Sequence, residues 1–192
     1  PIQPGTVRDC REFYKKYDEV DNFKIYGNDR YVFQYISDKY PEDEIKFDIK
    51  KINLVTIDIE VKSEEGFPDP ENCAEEMLTI SIQDYATKQI KTWGRKPYTP
   101  SQDNVTNYHF DDEIAMLNSF LYWWTNNPPE VVTGWNCRLY DIPYLCGRID
   151  RIMGTKKLKL MSPWGIVSQD EIYINGREFN IFDIAGVTTL DY

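Results

Sequence analysis

Asp58 and Glu60 stand two residues apart in the stretch Val55-Thr56-Ile57-Asp58-Ile59-Glu60-Val61. β-branched residues dominate it and no Gly or Pro interrupts it, which predicts a β-strand. Side chains alternate along a strand, so both carboxylates fall on one face. Neighbouring carboxylates at the end of an apolar strand are costly to hold together unless cations neutralise them. Hard oxygen ligands of this kind suit Mg²⁺ or Mn²⁺. A solvent-facing strand end is the alternative for the same pair.

A third acid, Asp141, follows the short apolar strand expected over 130–135 and opens a helix. Backbone N–H groups and the helix dipole favour negative charge there, and a plain helix cap is the alternative. One histidine, His109, is present, so a histidine-based triad or a histidine-rich metal site is excluded, and His109 reads as structural. Cys10, Cys73, Cys137 and Cys146 are scattered and form no CxxC pair, which argues against zinc and predicts free thiols in a reducing compartment. Hydrolytic chemistry in this chain must therefore run on carboxylates.

The elements that hold these acids can be followed along the chain. Val7, Cys10, Phe13, Tyr14 and Tyr17 recur at helical spacing, with Thr6 placed to cap them. A turn at 26–29, a strand at 31–36 and a polar connection at 40–44 are expected next. Residues 1–50 are thin for an independent domain and read as the remnant of a preceding one; 51–192 form the main domain. After the Asp58 strand comes a loop rich in turn formers, 63–70, then strands at 77–82 and 89–93 joined closely enough to pair antiparallel. A fourth strand near Tyr108 precedes Asp111-Asp112-Glu113, which suits a helix start. Ile114, Leu117, Phe120, Leu121 and Trp124 form that helix's apolar face. In the second helix Pro143 fits the first turn, and Leu145, Cys146, Ile149 and Ile152 face inward. Ile172 to Phe179 contain Asn175-Gly176, a strong hairpin signal. The expected fold is α/β, a mixed sheet flanked by helices, with a protruding β-hairpin. The ending at Asp191-Tyr192, without a closing helix, predicts a sheet cut before its last helices.

Composition narrows the function classes. Hydrophobic residues make up 41% of the 192 positions, enough for a well-packed core. No apolar run approaches the roughly 20 residues of a membrane span, and the N-terminus carries no signal-peptide pattern. A net charge of −10 cuts against a simple nucleic-acid-binding module. It suits an enzyme that grips a few nucleotides through metal ions, or a fragment whose basic surfaces lie elsewhere.

Thr133-Gly134-Trp135-Asn136, followed after three residues by Tyr140-Asp141, resembles the second exonuclease motif of family B DNA polymerases, and Asp58-Ile59-Glu60 resembles the first. Their order and separation match too. The Gly66-Phe67-Pro68 loop and the Asn175-Gly176 hairpin are similar to those of replicative polymerases of large tailed phages. The resemblance implies a ribonuclease-H-like fold and 3′→5′ proofreading of primer DNA. Asp58 and Glu60 would carry Mg²⁺ or Mn²⁺, with Asp141 adding a contact. Two cations about 3.5–4 Å apart would activate a water and stabilise the departing 3′ oxygen. Asn136 and Tyr140 would position the terminal nucleotide. Phe67 would stack on a frayed base, or else cover the sheet edge as a loop aromatic. The hairpin would keep template and primer apart, with Arg177 a phosphate contact. Implied partners are the single-stranded 3′ end of a primer, the parent chain's polymerase domains and a sliding clamp reached through other regions, in the cytoplasm of a phage-infected host.

The sequence departs from the family at its third motif, a Tyr shortly before an Asp on a later helix. Asp183 lies in an apolar run, and Leu190-Asp191-Tyr192 resembles a segment upstream of that helix, so neither acid fills the place. The residues alone are expected to show feeble or no nuclease activity. The other readings are a non-catalytic single-stranded-DNA-binding or interaction module of the same fold, and another two-metal nuclease.

Overall fold

A computed structural model describes residues 6–17, 20–24, 31–41, 48–63, 66, 68–174 and 176–192. The turn expected at 26–29, Phe67 and Asn175 lie outside these residues, as does most of the 40–44 connection. The chain divides into two compact units, Pro1–Phe47 and Asp48–Tyr192.

In the first unit, α1 (Val7–Tyr17) starts where Thr6 was expected to cap it. The Thr6 hydroxyl accepts the Asp9 amide at 3.1 Å and donates to the Asp9 carboxylate at 2.7 Å. Such a cap contributes about 1 kcal/mol by meeting an otherwise unpaired helix N–H. The segment read as a strand at 31–36 is instead helix α2 (Tyr31–Lys39). Gln34 Nε2 donates to Asp38 Oδ1 at 2.7 Å, a pairing at i,i+4 that a helix favours. A lone strand would leave its amides unmet, and no strand is present among this unit's described residues to pair with it.

The second unit is built on eight strands: β1 (Leu54–Val61), β2 (Met77–Asp84), β3 (Ile90–Gly94), β4 (Val105–His109), β5 (Val131–Gly134), β6 (Val167–Ile174), β7 (Arg177–Ile184) and β8 (Thr188–Asp191). Six of them form a mixed sheet in the order β4-β3-β2-β1-β5-β8, while β6 and β7 form a separate hairpin. β1, β2 and β3 pair antiparallel as expected, β4 joins β3 in parallel, and β1, β5 and β8 run parallel. This is the mixed α/β, ribonuclease-H-like sheet that the sequence predicts. No element was expected at β8, which takes the free edge of β5.

Register sorts the side chains into two faces. Ile57, Ile59, Ile80, Ile82 and Trp93 share the buried face and pack in one cluster with α3 (Glu113–Asn126) and α4 (Asp141–Met153). Burying each such side chain stabilises the fold by about 1.5–3 kcal/mol. Trp93 meets Phe120 edge-on with ring centroids 5.3 Å apart. On α3 the inward face is Met116, Leu117, Phe120, Leu121 and Trp124, while Ile114, expected inside, is 45% exposed. The buried Glu113 takes the inward place in that first turn. Its carboxylate forms a two-pronged ion pair with Arg148 of α4 at 2.9 and 2.7 Å and accepts the Met77 amide at 2.8 Å.

α4 also grips the connection between β1 and β2. Arg148 Nη1 donates to the carbonyls of Cys73 and Ala74, and the Tyr144 hydroxyl accepts the Glu75 amide and donates to the Glu75 carbonyl. After α4 comes one short turn, α5 (Thr155–Leu158). The hairpin is longer than the 172–179 expected from sequence. Its register runs from Val167 opposite Ile184 to Ile174 opposite Arg177, enclosing a two-residue turn in which Gly176 has φ 78°. Its base is buried at Ile181 and Ile184, and Tyr173 near the tip is exposed. Among the described residues the four cysteines are unpaired and no helix is long and apolar enough to cross a membrane.

Candidate active site

The sheet's second face carries polar rows. Asp58 lies opposite Ser81, which lies opposite Thr92 and then Asn107; Glu60 lies opposite Thr79, then Gly94, then His109. Asp58 and Glu60 are both exposed at the end of β1, on the same face. Between them sits Ile59, whose side chain points into the core.

The backbone of Ile59 brings in the third acid. The ladder from β1 to β5 stops at Thr56 opposite Thr133. Three residues on, the Ile59 amide is met by Asp141 Oδ1 at 2.9 Å. A carboxylate at the first position of α4 thus takes the place of a strand carbonyl on the residue that separates Asp58 from Glu60 in the chain, close enough to Asp58 for the two charges to repel. Gly134 makes this approach tight, since a Cβ there would stand 2.6 Å from the Ile57 carbonyl oxygen and 3.0 Å from Cys137 Cβ.

Asp141 is buried, and burial pushes its carboxyl up to about 6. The Ile59 N–H opposes that shift, while the charges of Asp58 and Asp191 add to it. Asp191, set aside in the sequence reading, reaches this neighbourhood because β8 pairs it with Gly134. The neighbouring Cys137 thiol donates to the Leu190 carbonyl at 3.6 Å, and burial, then the charges of Asp191 and Asp141, push it up to about 12. Cys137 is therefore a neutral thiol and no nucleophile. Only β8's pairing reveals Asp191, so no local signal in the sequence marks it.

The remaining expected site residues fall in different places. Asn136 follows β5 with φ 55°, a conformation that Asn tolerates better than most residues, and its carbonyl accepts the amides of Leu139 and Tyr140. Tyr140 stands half-buried at the start of α4, and burial raises its hydroxyl to about 12, so it keeps its proton at neutral pH. Trp135, expected within the strand, is 77% exposed beyond it. Arg177 is exposed in the first position of β7, in the other sheet.

No three or more His, Cys, Asp or Glu side chains converge closely enough among the described residues to form a ready cation cage. The donors themselves fit a hard divalent cation. Mg²⁺ is commonly bound by one or two carboxylates together with substrate phosphates, rather than by an all-protein cage. The mutual repulsion of Asp58 and Asp141 is the kind of cost that a bound cation relieves.

A family model described as DNA polymerase family B, exonuclease domain, matches residues 14–192. The chain is 29% identical to the DNA-directed DNA polymerase of Escherichia phage RB69 over 98% of its own length and 23% of that protein. It is 28% identical to the DNA-directed DNA polymerase of Enterobacteria phage T4, over 100% of this chain and 24% of that one. With the DNA polymerase catalytic subunit of Human herpesvirus 7 (strain JI) the identity is 35%, over 54% of this chain and 11% of the relative. The chain spans about a quarter of the length of the two phage polymerases.

Proposed function

The chain belongs to the family B DNA polymerase exonuclease domains, and from that membership we propose that it removes nucleotides one at a time from the 3′ end of primer DNA, as a proofreading hydrolase. Asp58 and Asp141, with Glu60 beside them, would hold Mg²⁺ or Mn²⁺. Two such ions would supply a nucleophilic water and charge stabilisation at the departing 3′ oxygen.

The chain's own groups set up that chemistry. The Ile59 amide fixes the Asp141 carboxylate, so this ligand needs little reorganisation on binding. Tyr140 keeps its proton at neutral pH at the start of α4, and its backbone amide donates to the Asn136 carbonyl at 3.0 Å. Together they would orient the terminal nucleotide. The hairpin and its Arg177 would hold template and primer apart, and Phe67 would stack on the frayed base. Residues 1–50 would be the end of a preceding polymerase domain, and a sliding clamp would be reached through other parts of a polymerase chain.

One observation carries this reading: the 2.9 Å hydrogen bond that fastens the helix-start acid to the backbone of Ile59, the residue between the two strand acids. On the expectation that the family's third motif is not met within these residues, a 5′-labelled single strand should shorten slowly with Mn²⁺. A chain extended through that motif should act faster by orders of magnitude. In the extended chain Asp58→Ala should reduce 3′ shortening at least about 100-fold. Activity indifferent to Asp58→Ala would defeat the assignment.

A further inference from the structure

We propose that the hollow over β2 and β3 seats the nucleotide on the 5′ side of the scissile bond. This rests on the nuclease reading above. The hollow has a volume of about 460 Å³ and is lined by Glu60, Thr79, Thr92, Asn107, Lys96 and Tyr98, with Gly94 in its floor. That volume lies within the range of small-molecule sites. Glu60 belongs both to the hollow and to the acid site, so the two are continuous.

The walls are held in place. Thr92 Oγ1 donates to Asn107 Oδ1 at 2.7 Å, and Asn107 Nδ2 donates to the Tyr98 carbonyl at 3.0 Å. This fixes the backbone from which the Tyr98 ring, 57% exposed, stands out. Arg95 is committed to the framework through Glu76 and the carbonyls of Phe110 and Asp111. The next residue, Lys96, is exposed and makes no ion pair among the described residues. In a chain of net charge −10 it places a cation beside the acids, where an approaching phosphate needs one. The Tyr98 ring supplies a stacking surface that tolerates any base.

Direction follows from the sheet order once Asn136 and Tyr140 hold the terminal nucleotide, as proposed above. Asn136 and Tyr140 lie on the β5 side of β1, and the hollow lies on the β2 side. A strand whose scissile phosphate sits at Asp58 and Glu60 therefore has its terminal nucleotide toward Asn136 and the preceding one toward Tyr98.

The test compares two probes in Mn²⁺: dTMP, and a labelled tetrathymidylate with phosphorothioate linkages that resist cleavage. The double variant Lys96→Ala, Tyr98→Ala should weaken tetranucleotide binding about tenfold while leaving dTMP binding unchanged. Lys96→Ala alone should reduce the salt dependence by about 0.7 in the log–log slope. Unchanged tetranucleotide binding, or equal weakening of both probes, overturns the proposal. Asp58→Ala separates the two levels of the argument. If it weakens dTMP binding and the double variant leaves the tetranucleotide unaffected, the hollow's role falls and the nuclease reading stands. If Asp58→Ala affects neither probe, both fall.

Discussion

Asp141 is where the chemistry of the site is concentrated in one residue. Its carboxyl is raised to about 6, chiefly by burial, from an unfolded value near 3.9. Between those values the folded state binds more proton than the unfolded one. This group's contribution to stability is therefore fullest below about pH 4 and is lost as pH rises through about 6. Carboxyl-selective NMR of the metal-free protein should find Asp141 titrating near pH 6, with Mg²⁺ moving it downward, since a neighbouring cation favours the charged form. A titration near 4 that ignores Mg²⁺ would contradict this. Asp141→Asn keeps an oxygen for the Ile59 amide and removes the buried charge. Its Tm should rise by about 2–4 °C at pH 7 and show no gain at pH 4. A drop in Tm at pH 7 would mean that the ionised carboxylate stabilises the fold. Asp58 and Glu60 were legible from the alternation of one strand, and Asp141 from a helix start. Asp191 was not, because its place beside Gly134 depends on a pairing of strands far apart in sequence.

At the scale of elements, the position of α4 matters most, because its first residue is Asp141. Two turns along, Arg148 ties the helix to Glu113 of α3 and to the carbonyls of Cys73 and Ala74. Arg148→Met leaves the Glu113 carboxylate buried without its partner, and urea unfolding should show a loss of about 3–5 kcal/mol. A loss under about 1 kcal/mol would show that the ion pair does not brace the helix. Strands and helices with strong periodicity, β1, β2, α3 and α4, were readable in advance. The elements that were not readable depend on context. β8 has four residues and forms because β5 offers an edge. α2 carries an apolar pattern that suits a strand, yet no strand among its unit's described residues pairs with it. Ile114 fits the apolar stripe of α3, but the buried ion pair gives the inward place to Glu113.

At the scale of the whole molecule, an acidic chain gathers several acids at the carboxyl ends of its parallel strands, and a separate hairpin packs against α4. The hairpin's base is anchored by Ile181 and Ile184, while its tip is exposed. Amide exchange at Tyr173 and Gly176 should be faster than at Ile57 and Ile59 by several orders of magnitude. Equal protection would mean that the hairpin opens only with the sheet. The central claim is that Asp58 and Asp141 act together as cation ligands, and Mn²⁺ binding followed by electron paramagnetic resonance in the presence of dTMP tests it most directly. The account predicts saturable binding by the native chain and at least about tenfold weaker binding in Asp58→Ala and in Asp141→Asn. Equal Mn²⁺ affinity in all three proteins would contradict it.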